Sequence, residues 1–318
     1  MAERATCFAV ATSSTQRARL SGVFAPVLTP FDSKLQPDAP RFARHCKWLL
    51  SQGCRGLAVF GTTSEANSLS VEEREALLAS LLASGIPAES LLPGTGCCAI
   101  PDTVRLTRAA VRAGCAGVLV LPPFYYKGVS EEGLFRAFAE VIERVGDSRL
   151  RVYLYHIPPI AQVGFSAKLV ERLLAAYPGT VAGMKDSSND IANTRAMIDA
   201  FAKDGFEVFS GSERFLLENL RRGGAGCITA TGNVNPAAIH RLYQEWQSPQ
   251  AEELQARINA VRSAFEKRPV IPALKAVIAH YAKDAAWRTV RPPLVELAEA
   301  DMRPLLDELE KAGFEMRP

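Results

Sequence analysis

The sequence contains no long apolar run. No stretch approaches the roughly 18 consecutive apolar residues of a membrane-spanning helix. Within residues 1–20, the apolar segment CFAV is much shorter than the apolar region of a signal peptide. We therefore expect residues 1–20 to form a short N-terminal extension, and the protein to be cytoplasmic and not to contact a membrane.

The spacings that mark metal sites and disulfide frameworks are also missing. The seven cysteines are scattered without a C-x-x-C pair, and the four histidines show no metal-ligand spacing. Scattered, odd-numbered cysteines are typical of a reducing compartment. The sequence therefore predicts neither a bound metal nor a disulfide-stabilised fold.

The sequence also gives no indication of binding to nucleic acids or to dinucleotide cofactors. The 37 basic and 34 acidic residues are mixed along the chain, and the net charge of +3 is far from the concentrated basic excess of nucleic-acid-binding proteins. No G-x-G-x-x-G motif follows a predicted strand, so a dinucleotide cofactor is not expected.

What the sequence does contain is an alternation of β-rich and helical segments. Eight runs of β-forming residues recur, mostly at intervals of roughly 25 to 35 residues, the size of a βα unit. Several runs are almost wholly apolar, which is typical of a sheet covered on both faces. Eight strands favour a closed (β/α)8 barrel of the α/β class over an open doubly wound sheet. The runs span residues 22–31, 56–63, 91–96, 116–126, 149–159, 180–188, 206–213 and 224–233.

Amphipathic segments with apolar residues three and four positions apart separate these runs. Ser70, followed three residues later by Glu73, predicts a capping box at the start of one such helix. After residue 247 the helical pattern continues without strands, so we predict a barrel over residues 21–247 and a three-helix appendage over residues 248–318. The clearest helical segments are residues 71–84, 131–145, 167–177 and 193–203.

One lysine follows a predicted strand at a position where barrel enzymes carry their chemistry. Lys185 comes directly after the apolar residues 181–184. Loss of hydration there favours the neutral amine, the form that attacks a carbonyl to make a Schiff base. The alternative is a surface lysine paired with Asp186.

Phenols and hydroxyls follow other predicted strands. The hydroxyls of Tyr155 and Tyr126 can donate and accept protons, although tyrosines at a barrel mouth can also simply fill space. Thr62 and Thr63 lie in a turn that begins with glycine, where hydroxyls and backbone N–H groups can hold a carboxylate. The alternative for this segment is an ordinary turn before a helix.

Taken in order, these segments resemble the superfamily of dihydrodipicolinate synthase and N-acetylneuraminate lyase. The resemblance covers nearly the whole chain after residue 21. It implies a barrel enzyme that is usually a homotetramer, acts on a small 2-keto acid and an aldehyde, and needs no cofactor beyond the lysine imine. The matching segments are GVFAPVLTPF, GTTSEANSLSVEER, LPPFYYKGVSEEGL, YLYHIPP, GMKDSS, FSGSE and IPALKAV.

The resemblance also implies roles for individual residues. Lys185 matches the Schiff-base lysine, and Tyr155 matches the tyrosine that shuttles protons. Thr62 matches the threonine that links this tyrosine to a second one, which Tyr126 matches. Thr63 matches a residue that helps to hold the keto-acid carboxylate.

A second group of residues is expected to contact the substrate. Ile228 matches a position whose backbone carbonyl faces the site. Ser187 stands where relatives that use polyols often place a hydroxyl. Gly211, Ser212 and Glu213 end the seventh predicted strand, and Glu213 is expected either to accept hydrogen bonds from sugar hydroxyls or to be a solvated residue at the start of a helix.

The segment after Tyr155 departs from the usual pattern. Typical dihydrodipicolinate synthases carry an arginine here that binds the carboxylate of the aldehyde substrate, whereas this chain reads HIPPIAQ. The corresponding charge-assisted contact is lost, so the sequence does not indicate a typical dihydrodipicolinate synthase. The motif PFYY is closer to the neuraminate lyases, but Thr62-Thr63 and Ser212-Glu213 depart from that branch.

Three functions therefore remain open. The first is a class I lyase or aldolase that uses Lys185, with pyruvate as donor or product. The second is a dehydratase that acts on a 2-keto-3-deoxy sugar acid through the same imine. The third is a non-catalytic barrel that binds a keto acid, and the combination of Lys185, Tyr155, Thr62 and Tyr126 favours an enzyme over it.

Overall fold

The computed structural model describes residues 19–318, so the predicted extension of residues 1–20 lies almost wholly outside the described residues. Within this range seven parallel strands alternate with helices. The strands are β1 Gly22–Ala25, β2 Gly56–Leu57, β3 Val118–Val120, β4 Val152–His156, β5 Val181–Asp186, β6 Glu207–Ser210 and β7 Gly226–Ile228. The helices are α1 Ala39–Ser51, α2 Val71–Ala83, α3 Ile100–Arg112, α4 Glu131–Val145, α5 Pro158–Ala161, α6 Ala167–Ala176, α7 Ile191–Phe201, α8 Leu216–Arg221, α9 Pro236–Glu245, α10 Ala251–Glu266, α11 Val270–Ala282 and α12 Glu299–Lys311.

The sheet closes into a barrel through the segment predicted as the third strand. The strand order is β2-β1-β7-β6-β5-β4-β3, which leaves β2 and β3 at the two edges. Leu91 bridges to Leu57 of β2, and Gly94 bridges to Leu119 of β3. Pro93 has no N–H to donate, so this segment forms isolated bridges and not a continuous strand. The fold is a (β/α)8 barrel with a C-terminal helical appendage.

Helix α2 begins as its sequence predicts. The Ser70 hydroxyl accepts a hydrogen bond from the Glu73 N–H at 3.1 Å, and the Glu73 carboxylate accepts one from the Ser70 N–H at 2.9 Å. The predicted capping box is confirmed. Because it satisfies two otherwise unpaired N–H groups, it fixes the end of the loop that connects β2 to this helix.

Large aromatic side chains fill the barrel interior. Phe24 and Tyr153 contact Phe209 edge-on, with ring centroids 5.5 and 6.2 Å apart. A Cβ atom on Gly183 would lie 2.3 Å from the Glu207 carbonyl and 2.8 Å from the Tyr153 ring. A residue without a side chain is therefore required in β5 beside this ring.

The appendage has an apolar cluster of its own. Helices α10, α11 and α12 share buried residues that include Phe265, Leu274 and Leu305. Leu28 and Val234 of the barrel join the same cluster, so the appendage is packed against the strand-end side of the molecule. Within residues 19–318, every helix is too short or too polar to cross a membrane.

Candidate active site

A cavity of about 460 Å³ opens where the carboxyl ends of the strands meet the appendage. Its size lies within the roughly 300 to 1,000 Å³ of small-molecule sites. A larger groove of about 550 Å³ lies on the outer helix layer, away from the strand ends. The strand-end cavity is lined by Thr62, Thr63, Tyr155, Ile157, Pro159, Ile160, Lys185, Ser187, Asn189, Gly211, Ala230, Arg262, Pro269, Val270, Ile271, Pro272 and Leu294.

Lys185 lies in this cavity beside Tyr155. The two residues are direct partners in the parallel pairing of β4 and β5. Lys185 is only 4% exposed, and its Nζ atom donates to the Tyr155 hydroxyl at 3.3 Å. The Asp186 carboxylate instead accepts hydrogen bonds from Asn193 and Thr194 on α7, at 2.9 and 2.8 Å. Lys185 is therefore not a surface lysine paired with Asp186.

Tyr155 continues the hydrogen-bonded chain to the turn after β2. Its hydroxyl donates to Thr62 Oγ1 at 3.2 Å. Lys185, Tyr155 and Thr62 thus form a continuous path of groups that can each give and take a proton. This path is what general acid–base chemistry at the lysine nitrogen requires.

The turn that carries Thr62 and Thr63 is held from beneath by buried hydroxyls. Ser64 is fully buried; its hydroxyl donates to the Val27 carbonyl at 2.5 Å and accepts from the Gly61 N–H at 3.2 Å. The Thr29 hydroxyl donates to the Ser64 carbonyl at 2.8 Å. These contacts hold the turn in place, and its threonines line the cavity.

A buried ion pair anchors the same turn to the appendage. Glu65 adopts a left-handed backbone conformation, with φ of 56°, and its carboxylate accepts from Lys275 Nζ of α11 at 2.5 Å. Both side chains are fully buried. Lys275 also donates to the Thr289 carbonyl at 2.8 Å, and the Arg291 N–H donates to the second Glu65 oxygen at 3.0 Å. Burial lowers the pKa of Lys275 to about 8, although Glu65 opposes this shift.

Two of the other predicted substrate contacts also line the cavity, namely Ser187 and Gly211. The Gly211 N–H donates to the Asp186 carbonyl at 2.6 Å. A Cβ atom on Gly211 would lie 2.0 Å from the Ser187 hydroxyl oxygen. Only glycine allows β6 to leave the barrel this close to the end of β5.

The structure does not bring four of the predicted residues to the cavity surface. Ile228 is buried among the apolar residues of the barrel interior, so the role expected of its backbone carbonyl stays a prediction, and the Ser212 hydroxyl accepts from the Arg214 N–H at 3.3 Å. Glu213, expected to meet sugar hydroxyls, is fully buried behind the wall and accepts hydrogen bonds from two threonine hydroxyls. Tyr126 is 74% exposed and lies outside the cavity of its own chain.

Several lining residues were missed by sequence reasoning. Asn189, which has a φ of 62°, lies between β5 and α7, and Leu294 lies beyond α11. Arg262 lies on α10, 77 positions after Lys185 in the chain. No spacing pattern connects such distant positions, because the appendage reaches the barrel mouth only through tertiary packing. Within residues 19–318, no group of three His, Cys, Asp or Glu side chains is arranged to hold a metal ion.

The fold and the cavity define a barrel enzyme for small molecules, centred on a lysine amine. The model of the dihydrodipicolinate synthetase family matches residues 19–312. An uncharacterized DapA-like lyase of Chloroflexus aurantiacus is 32% identical over 292 residues, which cover 91% of this chain and 96% of the relative. The chain therefore belongs to the dihydrodipicolinate synthetase family and is a lyase of that type.

Two crystal structures are similar throughout. Dihydrodipicolinate synthase from Agrobacterium tumefaciens is 32% identical with a TM-score of 0.85, covering 92% of this chain and 99% of that one. YagE from E. coli, a protein of the dihydrodipicolinic acid synthase family solved in complex with pyruvate, is 28% identical with a TM-score of 0.85. It covers 94% of this chain and 100% of that one. The likeness includes both the barrel and the appendage.

Proposed function

We propose that the protein is a class I lyase that forms or cleaves a carbon–carbon bond of a 2-keto acid through an imine on Lys185. Pyruvate is the proposed donor or product. The chain of hydrogen bonds from Lys185 through Tyr155 to Thr62, at 3.3 and 3.2 Å within one cavity, carries this proposal. The pyruvate complex of YagE supports it from a relative.

Each group has a defined task in the proposed reaction. The Lys185 amine attacks the keto carbon, and Tyr155 passes a proton to the departing hydroxyl so that water leaves and the imine forms. In a 4-hydroxy-2-keto acid, Tyr155 takes the proton of the C4 hydroxyl while the protonated imine draws the electrons of the C3–C4 bond into an enamine, so an aldehyde is released. Protonation of the enamine at C3 and hydrolysis of the imine then free pyruvate and the Lys185 amine. Thr62 orients the phenol, and Thr63 with the backbone of its turn holds the carboxylate. The imine itself serves as the electron sink, so no metal or organic cofactor is needed.

Borohydride reduction in the presence of pyruvate, followed by peptide mass mapping, tests this assignment. We expect a stable pyruvyl adduct on Lys185 that is absent in Lys185→Ala. Lys127→Ala is the matched control, because Lys127 donates to the Ala161 carbonyl at 2.8 Å but does not line the cavity. An adduct elsewhere, or none with any 2-keto acid, would refute the proposed mechanism.

A second function deserves a test because two polar side chains, those of Ser187 and Asn189, line the cavity beyond the lysine. Such groups suit a hydroxylated 2-keto-3-deoxy sugar acid, which can lose water through the same imine. Product analysis separates the two reactions. Pyruvate plus an aldehyde indicates a lyase, and a retained carbon skeleton indicates a dehydratase. Absence of turnover on either class of substrate would favour a non-catalytic keto-acid-binding barrel.

We further propose that the chain acts in the cytoplasm as a homotetramer and that Tyr126 enters the site of a neighbouring copy. Tyr125 and Tyr126 are 73% and 74% exposed, and Val129 beside them is 39% exposed. Large apolar side chains clustered on a surface indicate a binding partner. A second copy is the proposed partner, since Tyr126 has a proposed catalytic role but lies outside its own cavity.

Mixing two inactive variants tests this arrangement. Lys185→Ala retains Tyr126, and Tyr126→Phe retains Lys185. If Tyr126 acts across the interface, mixed oligomers contain one complete site per pair, and part of the activity returns. If activity does not return although mass spectrometry shows mixed oligomers, Tyr126 does not act in a neighbouring copy. Light scattering gives the size of the assembly.

A further inference from the structure

Two charged side chains line the strand-end cavity among the described residues, those of Lys185 and Arg262. Arg262 lies in the penultimate turn of α10, on the wall that the appendage contributes. No carboxylate of residues 19–318 lines the cavity with them. If Lys185 is consumed as the imine, Arg262 is the remaining cation that a bound molecule meets.

The guanidinium of Arg262 is held rigidly on its far side. Nε donates to Glu266 at 2.9 Å, and Nη1 donates to Glu213 and to the Thr229 hydroxyl, each at 3.3 Å. The Glu213 carboxylate is fixed in turn by the Thr229 and Thr231 hydroxyls. The Arg262 side chain is 12% exposed. Buried charge pairs of this kind hold their members in one geometry.

One nitrogen of the guanidinium is left open. Nη2 of Arg262 has no hydrogen-bond partner within the described part of the chain. It is also not among the fully buried polar atoms that lack a partner, so it is at least partly accessible. Arg262 lines the cavity and its Nε and Nη1 atoms are held by hydrogen-bonded partners, so we infer that Nη2 is the donor available to an oxygen of the substrate. Because Nε and Nη1 already have partners, Nη2 can donate to one substrate oxygen, but the guanidinium cannot form a bidentate pair with a carboxylate.

The part of the cavity wall that follows Tyr155 explains why this donor matters. After Tyr155 the lining consists of Ile157, Pro159 and Ile160, and no cation stands there. An anionic group at the end of the substrate remote from the imine would find no partner on that wall. Besides Lys185, Arg262 is the charged donor among the lining residues that can give such a group a hydrogen bond.

We propose that Arg262 binds a carboxylate oxygen at the distal end of the substrate, so that the enzyme selects aldehydes bearing a second carboxylate. This inference rests on the proposed lyase function and assigns its substrate class. Arg262 contributes to substrate specificity and not to imine formation. Removing it therefore lowers activity on anionic aldehydes and leaves the pyruvate adduct on Lys185 unchanged.

The test compares succinic semialdehyde with its uncharged counterpart butanal as acceptors for pyruvate. The native enzyme prefers succinic semialdehyde in kcat/KM. Arg262→Gln loses about 10- to 100-fold on that substrate, the value of one hydrogen bond to a charged group. On butanal it stays within about twofold. Arg214→Gln is the matched control, because Arg214 also pairs with Glu266 but does not line the cavity.

The outcomes separate this inference from the proposed function. Failure of the native enzyme to form a pyruvate adduct would remove the proposed function itself. A normal adduct without a preference for succinic semialdehyde would overturn the role of Arg262. So would an equal loss on both aldehydes in Arg262→Gln, which would show a structural effect. The native preference is measurable even if the variant fails to fold.

Discussion

The buried ion pair between Glu65 and Lys275 makes a quantitative prediction about stability. Both side chains are fully buried, and 210 residues separate them in the chain. Substituting Lys275 with methionine fills similar space but leaves the Glu65 carboxylate buried without its cation. Removing one partner of a buried pair costs about 3 to 5 kcal/mol. Typical domains are stable by about 5 to 15 kcal/mol, so the variant should still fold.

The double variant Lys275→Met/Glu65→Gln removes the uncompensated charge. Replacing a whole buried pair is often nearly neutral, so we expect it to recover at least about 2 kcal/mol relative to Lys275→Met. Urea unfolding at pH 7 measures both values, because protonated Lys275 then carries its charge. Arg303→Met is the control, since Arg303 and Asp307 form an exposed pair worth about 0.5 kcal/mol or less.

The same variant should also affect the site. Glu65 ends the turn that carries Thr62 and Thr63, so loosening it should raise the pyruvate concentration needed for half-maximal adduct formation. The adduct on Lys185 should still form at saturation. A double variant no more stable than the single one would refute the assignment of the cost to an unpaired carboxylate. An unchanged pyruvate requirement would show that the pair does not position the turn.

Three further predictions concern single residues. Burial lowers the pKa of His45 to about 4; between pH 6.5 and 4 only the unfolded state gains this proton, so stability falls as pH falls, by up to about 3 kcal/mol. In His45→Gln, the urea midpoint should no longer show this loss of stability between pH 6.5 and 4. The same pH dependence in the variant and the native protein would contradict the role of His45. Tyr155→Phe should lower kcat by about 10²- to 10⁴-fold and Thr62→Val by less, as steady-state kinetics would show; equal losses would argue against a relay. Gly211→Ala should lose about 1 to 3 kcal/mol in thermal melting because its Cβ has no space, whereas Gly133→Ala on α4 should be neutral or stabilising.

Local patterns were sufficient to predict most of the fold. The apolar spacing of residues 131–145 coincides with α4, and Ser70 with Glu73 marked the start of α2. The third predicted strand became a pair of bridges because Pro93 interrupts the hydrogen-bonded ladder. The pattern of apolar residues records burial and periodicity; the signal for the interruption was Pro93 itself, which the sequence shows.

The candidate site was predictable where a residue lies at or just beyond the end of a strand. Lys185 and Tyr155 meet because they are partners near the ends of the adjacent parallel strands β5 and β4. The turn after β2 places Thr62 within hydrogen-bonding distance of Tyr155. Glu213 satisfied the same positional rule, yet buried threonine hydroxyls and Arg262 draw its side chain away from the cavity. Whether the Glu213 side chain faces the cavity or these buried partners depends on tertiary contacts, which the sequence of one strand does not reveal.

The cavity is built by two parts of the chain that fold around separate apolar clusters. Lys185 and Tyr155 belong to paired strands of the barrel, whereas Ile271 and Leu294 belong to the appendage and lie outside the strands. Substitutions in the appendage can therefore reshape the cavity without disturbing the hydrogen-bonded ladder of the barrel. Such a division would let one reaction be combined with different substrates through changes confined to the appendage. Laboratory libraries aimed at a new substrate should be concentrated in residues 269–272 and 294.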